Sequence, residues 1–192
     1  MSNIVQKIEN EKDIGEILVL LGKVTRKDVS SLKQIIPKLL KNKSWIVRAE
    51  ILDIIGTYNI SGFENEIFSF LDNESEIKDV RIYALFCYYD LNHKKTLNEI
   101  LPKFLEHPNI SLRIAAMCLY YIETEDDETL DKILKIVSRK NCNYLHQASV
   151  ICVFDYYGDI SKNTGIAKLF KRILINTRSE GIKETLKKMV RV

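Results

Sequence analysis

The feature that most limits what this chain can fold into is a repeat. Ile36-Pro37-Lys38-Leu39-Leu40 aligns with Leu101-Pro102-Lys103-Phe104-Leu105, and in both copies an arginine follows eleven residues after the proline. Those arginines are Arg48 and Arg113. Arg81 lies midway, and a fourth copy places His146 in the slot, giving spacings of 33, 32 and 33 residues. The residue before each anchor is Val47, Val80, Leu112 or Leu145, and three positions after it come Ile51, Ala84, Ala116 and Ser149. A fixed period in this range means stacked supersecondary units, each too small to bury its own apolar face alone.

Each unit reads as two helices. The apolar spacing predicts first helices over 29–41, 63–72, 97–106, 128–138 and 165–176, and second helices over 12–22, 45–57, 78–90, 110–122, 144–157 and 180–190. These runs lack the apolar–polar alternation of strands and are too long for them. Ser61-Gly62-Phe63-Glu64 and Thr96-Leu97-Asn98-Glu99 have the spacing of capping boxes that start first helices. Gly22, Gly56 and Gly158 fall where second helices end.

The pattern of an LPxLL-type first helix, a short polar link and a (V/L)R–x–x–A second helix resembles HEAT repeats, of the short-period kind found in phycobilisome lyases. The resemblance spans about residues 12–190. It implies an all-α chain: one domain over 1–192, a right-handed α–α superhelix of about five helix pairs anchored near Arg48, Arg81, Arg113 and His146, with atypical capping helices at both ends. Two departures stand out, the missing aspartate before the arginine and the histidine in the fourth slot. Ankyrin and tetratricopeptide repeats have similar periods, but their TPLHxA and WxxLGxxY motifs are absent.

A helix turns 100° per residue, so slots can be sorted around each second helix from its anchor. Slots −1, +3, +7 and +10 should face the first helix of the same pair, and slots +1, +5 and +8 should point the opposite way, toward the concave side. Those outward slots hold Ile82, Phe86 and Tyr89, then Ile114, Cys118 and Tyr121, then Gln147, Ile151 and Phe154. A helix apolar all round has to be covered on all sides. Either neighbouring second helices cover this stripe, or it is an apolar groove for a partner, whose contacts would be Ile82, Phe86, Tyr89, Ile114, Tyr121, Ile151 and Phe154.

Charge is arranged in blocks. Residues 23–48 hold eight Lys/Arg against Asp28, residues 49–79 hold eight acids against Lys78, and residues 162–192 hold nine Lys/Arg against Glu180 and Glu184. The net charge of +3 does not by itself argue for nucleic acid. The basic end, around Lys168, Lys171, Arg172 and Lys187, is a candidate patch for an anionic partner. Arg48, Arg81 and Arg113 read as structural, their forks bonding loop carbonyls and carboxylates of the adjoining repeat.

Catalytic signals are missing. There is no GxSxG, HExxH, Walker loop or GxGxxG, and no metal or cofactor motif. Cys142 and His146 share a helix face, but no third group orients them, and the histidine reads as structural. The cysteines at 87, 118, 142 and 152 lack CxxC spacing and sit in apolar helical runs, which reads as reduced core thiols in a cytoplasmic protein. The charged opening MSNIVQKIENEKD is not a secretory signal, and no run of 18 apolar residues exists to span a membrane.

The reading that follows is a non-enzymatic protein–protein interaction module without cofactors. Its rich Ile, Lys and Asn content fits a bacterial genome, and the resemblance implies a small adaptor or a toxin-neutralising immunity protein that binds another protein through the concave face. The alternative is a nucleic-acid-binding chain, akin to the HEAT-like DNA glycosylases, using the basic C-terminal end. Against it, the aromatic stripe has little positive charge beside it, and Trp45 lies outside the apolar centre.

Overall fold

The computed structural model describes residues 3–139, 142–159 and 162–189. Among these residues the regular structure is helical and no strand occurs. The chain divides into two compact units, residues 1–96 and 97–192. The last expected helix, 180–190, ends at Val190, which lies outside the described residues.

The first unit contains α1 (Asn3–Asn10), α2 (Ile14–Leu21), α3 (Val29–Leu32), α4 (Ile36–Leu40), α5 (Trp45–Thr57), α6 (Glu64–Asp72), α7 (Lys78–Leu91) and α8 (His93–Lys95). Its centre is the pair α5 and α7, with α6 against α7 and both α4 and α2 against α5. Val47, Ile51, Leu52 and Ile55 of α5 and Val80, Ala84 and Leu85 of α7 are buried, together with Ile67 and Leu71 of α6. Close packing fixes Gly56 inside α5, where a helix end was expected: a Cβ there would lie 2.6 Å from Asp90 Oδ2 and 3.4 Å from Cys87 Cα of α7. The left-handed residue that follows this helix is Asn59, with φ 53°. Glu64 accepts from Gly62 N at 3.0 and 3.1 Å, so the backward half of the expected capping box forms on Gly62, which has φ 100°.

The expected first helix 29–41 is broken into α3 and α4, and Pro37 sits in the first turn of the latter. Arg48 meets the expectation in part, since the carboxylate it bonds belongs to the next helix pair but the carbonyls belong to its own link. Its Nη1 donates to the carbonyls of Asn42 and Lys43 at 2.7 and 3.2 Å, and its Nη2 donates to Glu76 Oε1 at 2.7 Å, ahead of α7. Arg81, fourth residue of α7, donates through Nε to Leu71 O of α6 at 3.1 Å.

The second unit contains α9 (Leu101–Phe104), α10 (Ile110–Thr124), α11 (Asp127–Val137), α12 (Tyr144–Tyr157), α13 (Thr164–Asn176) and α14 (Glu180–Met189). A π-helical turn at Thr96–Ile100 precedes α9, so the Thr96 box does not form. Thr96 is instead buried, its hydroxyl near both Tyr88 O (3.1 Å) and Asn92 O (2.9 Å). Asn109, Asp126, Asn143 and Asn163 cap α10, α11, α12 and α13 through their side chains. Central α10 packs on α9, α11 and α12. That explains its apolar circumference: Leu112, Ile114, Ala115, Ala116, Met117, Cys118, Leu119 and Tyr121 are all buried.

The fourth anchor needs correction. Arg48, Arg81 and Arg113 are the fourth residues of α5, α7 and α10, and the fourth residue of α12 is Gln147, not His146. Gln147 is buried, and its Nε2 donates to Val137 O of α11 at 2.9 Å, the same reach of ten residues back that Arg81 makes to Leu71. Its Oε1 accepts from Thr177 Oγ1 at 2.7 Å. The link before α12 is one residue longer than counted, and every slot assigned on α12 moves by 100°.

Candidate anion-binding surface

That rotation decides much of the apolar stripe. On α12, Phe154 shifts from an outward slot to core slot +7 and Ile151 to slot +4, only 40° from the anchor, and both are buried. Phe154 lies between Tyr121 and Phe170, ring centroids 6.0 and 6.3 Å away and nearly edge-on, the arrangement aromatic quadrupoles prefer. Tyr121 donates its hydroxyl to Asn163 Oδ1 at 3.0 Å, and burial raises its pKa. Asn163 Oδ1 also accepts from Ile166 N, and Asn163 Nδ2 donates to Glu125 Oε1 at 3.1 Å, so the cap of α13 locks the tyrosine. Tyr89 is buried on α7, its hydroxyl 3.2 Å from His93 Nε2 and its ring edge-on to the imidazole, and Ile114 is fully buried on α10. Ile82 and Phe86 are half-buried. Five of the seven residues expected to line an open groove are therefore core residues, because the second helices are enclosed around most of their circumference.

The basic residues stand differently. Lys168, Lys171, Arg172 and Lys187 are all exposed. Lys168 and Arg172 lie one turn apart on α13 and line a shallow groove of about 450 Å³ with Lys135, Leu134, Ser138 and Asp131 of α11. Two residues of the expected patch thus meet a third cation that the chain order did not single out. Lys171 and Lys187 do not line that groove, and on α14 it is Lys183 that pairs with Glu180, at 2.5 Å.

A second cleft in this unit, of about 430 Å³, was not foreseen. Its walls include Arg139 and Arg178, its floor includes Gln147 and Thr177, and Tyr144 stands at it with 58% of its surface exposed. It opens where α12 and α14 begin. Asn143 Oδ1 accepts from Leu145 N at 3.0 Å, Ser179 Oγ accepts from Ile182 N at 3.4 Å, and Ser179 N donates to Thr177 Oγ1 at 3.2 Å. No carboxylate lines the cleft, and neither arginine makes an ion pair among the described residues. The signal for it lay in the links, Ser138-Arg139 before Asn143 and Thr177-Arg178-Ser179 before Glu180, while the helical slots drew attention elsewhere.

The thiols divide two and two. Cys87 and Cys118 are buried and pushed well above the usual thiol range, chiefly by desolvation. Cys142 is half-buried beside the cleft, donates to Asn143 O at 3.4 Å and is raised by burial against the opposing charge of Arg139. Cys152 is exposed, so the expectation of four core thiols holds for two of them, the α12 rotation placing Cys152 outward. Among the described residues no group of three His, Cys, Asp or Glu side chains is placed to hold a metal ion, and no helix is long and apolar enough to cross a membrane.

Comparison with models of protein families, with curated proteins and with solved structures found no match. The resemblance to HEAT repeats therefore rests on the residues of the repeat itself.

Proposed function

We propose that this chain is a non-catalytic, HEAT-like binding module whose partner is another protein with an acidic surface, held at the basic groove of α11 and α13. The observation that carries the reading is the convergence of Lys135, Lys168 and Arg172 on one groove with a single carboxylate, Asp131. The apolar residues that would have made a dry concave contact are largely committed to the core. Complementary charge steers encounter and selects partners more than it adds raw affinity, which suits a small adaptor or a neutralising protein that must find its target quickly. A nucleic acid is the second reading, since the same cations match a phosphate backbone.

The test is a capture experiment from nuclease-treated native lysate, comparing the intact chain with a Lys135→Glu/Lys168→Glu/Arg172→Glu variant. Exposed positions of this kind change stability by about 0.5 kcal/mol or less, so the variant should melt with the parent. The expected result is a protein partner that is retained by the parent, lost by the variant and eluted by salt. A partner held equally by both chains rejects the groove. Binding that disappears with nuclease treatment transfers the module to the nucleic-acid reading.

A further inference from the structure

The geometry points to the cleft at the starts of α12 and α14 as a binding site for a phosphate monoester. This site is separate from the α11–α13 groove and does not depend on it. Three observations converge. First, the cleft volume of about 430 Å³ falls within the size of small-ligand pockets, large enough for a phosphate and a modest organic group. Second, Arg139 and Arg178 put two cations into a space with no lining carboxylate and no ion-pair partner among the described residues. Both side chains are exposed, and a dianion in that space would meet positive charge from each of them.

Third, a buried amide lines the cleft. Gln147 is 3% exposed. Its Oε1 is taken by Thr177, and its Nε2 carries two hydrogens, of which Val137 O accepts one. The other N–H has no acceptor among the described residues, and Gln147 is one of the residues that line the cleft. Val137 O can only accept, which fixes the orientation of the amide, with Nε2 toward Val137 and Oε1 toward the Thr177 hydroxyl, itself bonded by Ser179 N. The positive ends of α12 and α14 add to the same field.

A carboxylate offers one charge and two oxygens. A phosphate monoester offers close to two charges and three terminal oxygens, which suits two guanidinium groups, Arg139 using its Nε on Lys135 O at 3.0 Å and keeping its Nη donors for the ester. The exposed ring of Tyr144 supplies a face for the organic part of the ester. The ester can belong to a free small molecule or to a phosphorylated side chain of a protein, and the chemistry at the cleft is the same.

The experiment is calorimetric titration of the full chain with phenyl phosphate and, in a second arm, with a short phosphoserine peptide, each against its sulfate or unphosphorylated counterpart. Saturable binding of at least one phosphate probe at pH 7.5 is expected, with weaker binding of the sulfate ester or plain peptide. Affinity should fall between pH 7 and pH 5, because the second phosphate proton, with a pKa of about 6, removes one charge. Arg139→Gln and Arg178→Gln should each weaken binding roughly tenfold, the loss of a charge-assisted hydrogen bond. Both arginines are exposed, so far-ultraviolet dichroism should be unchanged. Lys168→Glu/Arg172→Glu should leave the titration as it was. Binding of phenyl phosphate alone identifies a free ester, and binding of the peptide alone identifies a modified side chain. Absence of saturable binding in both arms overturns the site, as does binding that survives both arginine variants or is abolished by the Lys168/Arg172 variant.

Discussion

Gln147 occupies in α12 the position that Arg81 occupies in α7, and it makes the equivalent bond to the end of the preceding helix with a neutral amide. The exchange costs reach, since glutamine has one fork where arginine has five donors, and Thr177 supplies the second contact. Replacing Gln147 by leucine keeps the approximate volume and strands the Val137 carbonyl and the Thr177 hydroxyl in a buried setting. The expected loss is about 1–3 kcal/mol, the cost of leaving buried polar groups without partners. Adding Thr177→Val removes one stranded group, so chemical denaturation of the double variant should show less loss than the two single changes sum to. Strict additivity would mean the pair does not act as a unit. Gly165 is the other residue whose identity packing dictates: a Cβ there would overlap the Tyr121 hydroxyl. Neither constraint could be read from the repeat, because both depend on side chains 30 or more residues away.

At the scale of the helix, most boundaries were legible. The second helices that lie wholly within the described residues begin and end within two residues of expectation, and three of them start behind strong N-cap residues, Asp13, Asn109 and Asn143, placed ahead of apolar periodic runs. First helices were legible where no proline intervened. The runs at 29–41 and 97–106 contain Pro37 and Pro102, and there the structure substitutes short helices and a π turn. The one-residue shift of α12 was not legible, since Leu145 and His146 both satisfy the apolar-then-polar rule for the anchor. A face of α5 carries a cost of its own. Glu50 and Asp53 sit one turn apart, and partial burial raises both carboxyls above their ordinary range, with Asp53 adding to the rise at Glu50. The fold therefore disfavours their charged forms. Their contribution to stability is fully present below the unfolded values of about 4 and is lost as pH rises through the higher folded values. Glu50→Gln and Asp53→Asn should each raise the melting temperature at pH 7 and have no effect at pH 3. A variant less stable than the parent at pH 7 would contradict the desolvated acidic face.

For the chain as a whole, helical class and the order of helix pairs followed from the period, whereas the placement of the apolar stripe did not. Periodicity reports that Tyr121, Ile151 and Phe154 are covered, and it does not report whether the cover is a partner or another helix of the same chain. In the second unit the cover includes α13, which brings Phe170 onto Phe154 and Asn163 onto Tyr121. Ending the chain at residue 162 tests how much rests on that cover. The truncation removes six buried apolar side chains, Ile166, Leu169, Phe170, Ile173, Ile182 and Leu186. At about 1.5–3 kcal/mol each, their loss amounts to the order of 10 kcal/mol, comparable to the whole stability of an ordinary domain. It also exposes Phe154 and strips Thr177 from Gln147. Residues 97–162 are therefore expected to lose their fixed structure. The contacts inside residues 3–96 are untouched, including Arg48 to Glu76 and Tyr58 to the Val24 carbonyl. Hydrogen exchange on the truncated chain should then show α10 and α12 exchanging freely while α5 and α7 keep their protection. Protection retained in α10 would show that α13 and α14 are dispensable to the core. Protection lost equally from α5 and α7 would show that the two units unfold as one, which is the behaviour of a continuous repeat stack.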